Sequence, residues 1–276
     1  MLKKRILSAL WGIPILATII WLGPPWFSLL VAAWGLLAVF EFYRLVSARI
    51  TPLTYLGLIL TLLFILSPHF NYNRLLPLLI TLMVVLPLTW LLLSSRKELA
   101  FIRWAWTIAG ILYIGWLLSH FVALSILENG RNWVFLAFFV TFASDTGAFF
   151  IGRTVGKHHL TPFISPGKTW EGAIGGVFSA SIASLFFASP TLFTLTNPFH
   201  IAGFSWGQAL LLGLVVSIFG QLGDLVESLF KRNMGVKESG RAIPGHGGFL
   251  DRIDSVLFTG IAVYYFVWLA KTDWLN

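Results

Sequence analysis

The chain has 276 residues, 57% of them hydrophobic and only 11% charged, with 25 Phe, 13 Trp and no Cys. Soluble domains carry about a quarter charged residues, so this much apolar surface calls for lipid as solvent, and the lack of Cys excludes disulfides, thiolate metal sites and Cys catalysis. The formal net charge of +8 reads as basic loops against an anionic lipid leaflet, so no nucleic-acid partner is expected.

Apolar runs near the length that crosses hydrocarbon recur along the chain. They predict nine helices, at about 6–22, 26–46, 52–67, 76–94, 105–126, 132–151, 172–188, 206–229 and 253–270. The expected fold class is an all-α integral membrane protein, a polytopic bundle of about nine transmembrane helices. Breakers separate the runs: "GPP" at 23–25, "SPHFNYN" at 67–73, "ENGRN" at 128–132 and "SPTLFTLTNPFH" at 189–200. The first run follows Lys3, Lys4 and Arg5 as a signal peptide would, but "WLGPPW" stands where a small-residue cleavage site belongs. An uncleaved first span is expected.

With the N-terminus in the cytoplasm and sides alternating, 16 of the 19 Lys and Arg fall inside; only Arg74, Arg131 and Lys271 fall outside. This positive-inside bias predicts a cytoplasmic N-terminus and a multi-pass protein of the cell's inner (plasma) membrane. It also predicts two long cytoplasmic loops, 152–171 and 230–252. The chain reads as one membrane domain, 1–276, with N-terminal spans over 1–130 and a catalytic portion over 131–276.

Acids inside spans are expensive and mark function. Asp145 lies in "TFASDTGAFF", and Asp224 and Glu227 lie in "GQLGDLVESLFKR". On the eighth predicted helix, Ser217, Gln221, Asp224, Ser228 and Lys231 fall within an arc of roughly 80°. A polar stripe thus descends an apolar helix towards the charged loop. Ser217 and Gln221 read as hydrogen-bonding glue between helices; Asp224, leading into the loop, reads as functional.

The stretch from Lys231 to Ser255 gathers five Lys/Arg, three acids and five Gly. The glycines of "GHGG" at 245–248 leave backbone N–H groups for a phosphate. Lys231, Arg232, Lys237 and Arg241 supply positive charge. Asp251 and Asp254 stand at the mouth of the last predicted helix, where acids also serve as caps. Carboxylates beside phosphate-binding cations make sense when a hard divalent ion lies between them, and oxygen ligands suit Mg²⁺. Asp224 and Asp251 flank the loop as candidates to share that ion. His246, between glycines, reads as a phosphate or leaving-group contact. Upstream, "SPGKTWEG" holds Ser165, Lys168 and Thr169 near a helix start, a candidate anion site. Its "GKT" is not a P-loop: Pro162 stands where the first Gly belongs, and no strand is predicted before it.

Together these two loops resemble the phosphatidate cytidylyltransferase (CDP-diglyceride synthase) family. The residues that carry the likeness are Ser228, Lys231-Arg232, Lys237, Pro244-Gly245-His246-Gly247-Gly248, Asp251-Arg252 and Asp254, with "SPGKTWEGAIGG" and "SDTGAFFIGR" upstream. The pattern is departed from at Glu238, which stands for an Asp, and at Gly167, which stands for a Lys. The detailed match spans roughly 144–255.

The resemblance implies CTP plus phosphatidate giving CDP-diacylglycerol and pyrophosphate at the membrane interface. It implies Mg²⁺, with K⁺ as a candidate second ion, and a homodimer. It casts Asp224, Asp251, Lys168 and His246 as catalytic. Ser165, Lys168, Lys231, Arg232, Lys237, Arg241, His246, Gly247 and Gly248 bind the nucleotide. Asp224 and Asp251, then Asp254 and Asp145, bind metal. The rival readings are a transporter carrying ions on Asp145 and Asp224, and a CTP-dependent lipid kinase.

Overall fold

A computed structural model describes residues 2–47, 50–70, 72–94, 97–192, 195–240 and 247–271. Among these residues the fold is helical, and seven helices are long and apolar enough to cross a membrane. Two shorter apolar helices, Leu10–Leu22 and Asp254–Ala270, accompany them. The protein is an all-α membrane protein. Its contacts divide it into two compact units: Met1–Ile126 with Glu238–Arg252, and Leu127–Lys237 with Ile253–Asn276.

The first unit begins with α1 (Leu2–Leu22), α2 (Trp26–Val46), α3 (Pro52–Leu66) and α4 (Tyr72–Leu93). Then α5 (Ala100–Gly110), a π-helical segment (Ile111–Trp116) and α6 (Leu117–Ser125) form one continuous helical run. The third helix starts where the residues require it. Pro52 fills the first turn, where its missing N–H costs nothing, and the hydroxyl of Thr54 accepts from the backbone N–H of Thr51 at 3.1 Å. Leu60, Phe64, Leu79, Met83 and Ile111 pack into a core that joins α3, α4 and the π-helical segment. Tyr43 of α2 anchors the neighbouring helices: its hydroxyl donates to the carbonyl of Thr107 at 2.8 Å. Its ring occupies the space that side chains at Gly57 and Gly110 would need.

The second unit holds α7 (Gly130–Val155), the β1–β2 hairpin (His159–Thr161, Ser165–Thr169) and α8 (Trp170–Ala188). A second small hairpin, β3–β4 (Thr191–Leu192, Leu195–Thr196), leads to α9 (Trp206–Asn233); α10 (Asp254–Lys271) completes the unit. Close backbone approach holds α7, α8 and α9 together. A Cβ at Gly213 would stand 2.5 Å from Cα of Ser181, and one at Gly176 would stand 3.0 Å from the Ser144 carbonyl. Small residues at such crossings are the general device of membrane helices. The Ser144 and Ser217 hydroxyls meet at 2.7 Å, and Gln221 donates to Ser217 at 2.9 Å and to the Ala173 carbonyl at 3.2 Å. Ser217 and Gln221 therefore glue helices, as their setting predicts.

Around the charged loops the structure differs from the hydropathy reading in three places. Helix α7 runs to Val155, and the expected 152–171 loop is a hairpin in which Ser165 to Thr169 are strand. Helix α9 runs to Asn233, so Lys231 and Arg232 are helical. Basic residues suit a helix C-terminus, and nothing breaks this one before Gly235. There φ is +69°, and the N–H groups of Gly235 and Val236 return to the carbonyls of Arg232 at 3.0 Å and Lys231 at 2.9 Å. This double closure needs a left-handed residue, which glycine adopts without strain.

Candidate active site

In the second unit the β1–β2 hairpin delivers Lys168. The strands pair antiparallel, His159 with Thr169 and Thr161 with Ser165. The hydroxyl of Thr169 accepts from the N–H of Gly172 at 3.1 Å and so caps α8. His158 closes the hairpin base through Glu171, with Nδ1 and Oε1 2.5 Å apart. Between these fixed ends Lys168 reaches α9: its Nζ lies 2.7 Å from Oδ2 of Asp224. The other carboxylate oxygen of Asp224 accepts from Ser228 at 3.3 Å.

Two more carboxylates stand near. The charge of Asp224 acts on Asp145 of α7 and on Asp254 at the start of α10. Asp145 accepts from the Ser255 hydroxyl at 3.3 Å, and Asp254 accepts from the Ser255 N–H at 2.8 Å. Asp254 thus also serves at its helix N-terminus, where an acid meets the dipole. Lys231 pairs one turn back with the fully buried Glu227. The guanidinium of Arg232 reaches the Ile164 carbonyl at 3.3 Å and the Val236 carbonyl at 3.5 Å, tying the end of α9 to the hairpin turn. Lys237 is exposed and Ser165 half-buried. Carboxylates set this close repel one another when charged, and nearby cations relieve the repulsion.

In the first unit the chain from Glu238 to Arg252 forms a second arrangement. The Oδ2 of Asp251 accepts from the N–H of Ser239 at 2.9 Å, the Ser239 hydroxyl at 3.0 Å and the N–H of Gly248 at 2.8 Å. Gly247 has φ +81°, and a Cβ there would stand 2.6 Å from the same oxygen, so the turn takes glycine on both counts. The Gly248 N–H, expected to face a phosphate, is instead turned to Asp251, because three N–H and O–H groups converge on that carboxylate. Arg241 and His246 lie outside the described residues.

Three participants are not singled out by the sequence reading. Ser255 contacts two of the acids but reads only as a helix-start residue. Ser239 lies among loop residues with no motif of its own. Glu41 of α2 accepts from the N–H of Leu250 at 3.0 Å and from the Ser239 hydroxyl at 3.2 Å. A signal for it exists: it is an acid inside the apolar run "LLAVFEFYRLV".

Among the described residues no three Asp, Glu or His side chains converge into a complete cation site. The carboxylates around Asp224 are hard oxygen donors of the kind Mg²⁺ takes. This cation ordinarily uses one or two carboxylates and fills the rest of its octahedron with water and substrate phosphates. The residues present fit such a partial site.

The sequence profile of the cytidylyltransferase family matches residues 3–270. A phosphatidate cytidylyltransferase of Bacillus subtilis is 34% identical over 269 residues, 96% of this chain and 97% of that protein. One from Staphylococcus haemolyticus is 36% identical over 261 residues, 93% and 95% of the two chains. A third, from Staphylococcus saprophyticus, is 42% identical over 164 residues, 59% of each. With a profile match from end to end and relatives above 30% identity over nearly their whole length, the chain belongs to the cytidylyltransferase family.

Proposed function

We propose that this protein is a CTP:phosphatidate cytidylyltransferase that works at the cytoplasmic face of a membrane. A phosphate oxygen of phosphatidate attacks the α-phosphorus of CTP. The bond from that phosphorus to the bridging oxygen of the β-phosphate breaks, and pyrophosphate leaves with the electron pair. CDP-diacylglycerol is the product. The nucleophile is already anionic, so no strong base is needed. The barrier lies in bringing polyanions together and steadying charge at phosphorus.

The observation that carries this reading is the Lys168–Asp224 pair at 2.7 Å beside Asp145 and Asp254. A cation at the base of a hairpin held against an acid on a helix is a switchable contact: an arriving phosphate competes for Lys168 as a metal competes for Asp224. Asp224, with Asp145 or Asp254, would hold Mg²⁺, which when bound supplies charge neutralisation and Lewis acidity at the phosphates. Asp251 and the nucleotide roles of Ser165, Lys231, Arg232, Lys237 and Gly247 stay within the proposal. The names of the relatives supply the substrate pair. The excess of Lys and Arg on one side supports a cytoplasmic N-terminus and cytoplasmic chemistry.

The test uses purified protein in mixed micelles with α-³²P-labelled CTP, phosphatidate and Mg²⁺. Label should move into chloroform-soluble lipid, require both phosphatidate and Mg²⁺, and vanish with EDTA. Absence of lipid-borne label from a folded preparation overturns the reading. Transfer from γ-labelled CTP to a lipid alcohol would replace it with a lipid kinase.

A further inference from the structure

We propose that Glu41 is a positioning residue: it holds Ser239 and the turn from Gly248 to Asp251 in the arrangement that binds nucleotide. The proposal rests on the reading of that segment as part of the CTP site.

An ionisable side chain in a membrane-length helix is kept where it has partners. Glu41 lies in α2, and among the described residues its hydrogen bonds go to Ser239 and Leu250, near the end of the first unit. Its Oε2 accepts from the Leu250 N–H at 3.0 Å and from the Ser239 hydroxyl at 3.2 Å. That same hydroxyl lies 3.0 Å from Oδ2 of Asp251. One Ser–OH therefore stands between two carboxylates, and Asp251 gathers the Ser239 and Gly248 N–H groups on its own side.

Glycine content supports the same conclusion. A Cβ on Gly240 would stand 2.6 Å from Oε1 of Glu41, and one on Gly248 would collide with the Glu41 carboxylate and the Ser239 hydroxyl. These glycines make room for Glu41 as well as for any ligand. Trp34, two helical turns earlier on the same face of α2, grips the next residue. Its Nε1 donates to the Phe249 carbonyl at 3.4 Å, and the two rings meet edge-on with centroids 6.0 Å apart. Residues 34 and 41 together hold Phe249 and Leu250 between Gly248 and Asp251. Removing the Glu41 carboxylate releases the Leu250 N–H and leaves Ser239 with Asp251 alone.

The experiment measures kcat and separate KM values for CTP and phosphatidate on the full-length protein in mixed micelles, with a melting curve for each variant. The variants are Glu41→Ala, Glu41→Gln, Asp251→Asn and, as a control on the same helix, Tyr43→Phe, whose hydroxyl serves Thr107 instead. Glu41→Ala should raise the KM for CTP about tenfold or more while that for phosphatidate stays within about twofold. Glu41→Gln keeps an oxygen for the Leu250 N–H and should stay within about threefold of wild type. Tyr43→Phe should lower the melting temperature and leave the KM for CTP in place.

An unchanged KM for CTP in Glu41→Ala overturns the proposal, as does equal movement of both KM values or the same CTP shift in Tyr43→Phe. If Glu41→Ala does not fold, Glu41→Asp, too short to reach Leu250, is read in its place. Should Asp251→Asn also leave the KM for CTP unchanged, the nucleotide reading of the segment fails. Should Asp251→Asn raise it while Glu41→Ala does not, only the role of Glu41 fails.

Discussion

Lys168 and Asp224 are 56 positions apart in the chain, yet Nζ of one and Oδ2 of the other lie 2.7 Å apart. Both are partly exposed, so the pair itself adds little to stability. Its consequence is chemical. Asp224→Asn keeps the size of the side chain and removes the charge, and turnover should fall by about a hundredfold or more. The Mg²⁺ concentration for half-maximal rate should rise. Lys168→Met should lower turnover as strongly but, by removing the cation that competes for Asp224, should lower rather than raise the Mg²⁺ requirement. Initial rates over a Mg²⁺ titration read both, and a normal Mg²⁺ curve for Asp224→Asn would remove Asp224 from the metal site.

Glu227 and Lys231 make the opposite kind of pair, with Glu227 fully buried and the Lys231 side chain 13% exposed. Removing one partner from such a pair costs about 3–5 kcal/mol, whereas replacing both with apolar groups is close to neutral. Glu227→Ala should therefore lower the melting temperature in detergent sharply. Adding Lys231→Met should recover most of the loss. A double variant as unstable as the single would show that the ion pair is not the source of the effect.

The α8–α9 crossing at Gly213 leaves no space for a side chain, since a Cβ would meet Cα of Ser181 at 2.5 Å and the Ala180 carbonyl at 2.8 Å. Backbone cannot step aside as a flexible side chain can. Gly213→Ala should destabilise by about 1–3 kcal/mol, and Gly213→Val by more. At Gly207 a Cβ would meet nothing within 4 Å, so Ala should be accepted there with little change. Thermal unfolding of the two alanine variants side by side makes the comparison.

Thr169 ends the strand that carries Lys168 and stands just before α8. Thr169→Ala removes the acceptor for the Gly172 N–H and should cost about 1 kcal/mol. Thr169→Ser, which keeps the hydroxyl, should restore the melting temperature. If alanine and serine melt alike, the cap contributes nothing.

Hydropathy alone locates the helices, because each span must be apolar over a fixed length. It does not locate what depends on pairing. Residues 159–169 look like polar loop, since a hairpin of three- and five-residue strands has too few positions to show alternation. Hydropathy ends α9 four residues early because Lys231 and Arg232 read as loop charge, while the signal that stops the helix is Gly235. The polar stripe on α9 divides into Ser217 and Gln221, which bind neighbouring helices, and Asp224, which meets Lys168. Ser217 and Gln221 have uncharged polar side chains deep in the span; Asp224 lies near its charged end. Glu41 escapes the sequence reading for a different reason. The sequence offers Arg44 three residues on as its neighbour, whereas the groups that hydrogen-bond it, Ser239 and Leu250, come from the other end of the chain.

That separation has a consequence for how the protein is made. Ser239 follows Glu41 by 198 residues, and Leu250 by 209. At about 5–20 residues per second, roughly 10–40 s pass between synthesis of the acid and synthesis of the first group that meets it. Throughout that interval the Glu41 carboxylate is without the two groups that hydrogen-bond it in the folded protein. Chains cut short before Glu238 never leave that state. In a pulse-chase of nested truncations they should be degraded faster than chains ending just beyond Arg252.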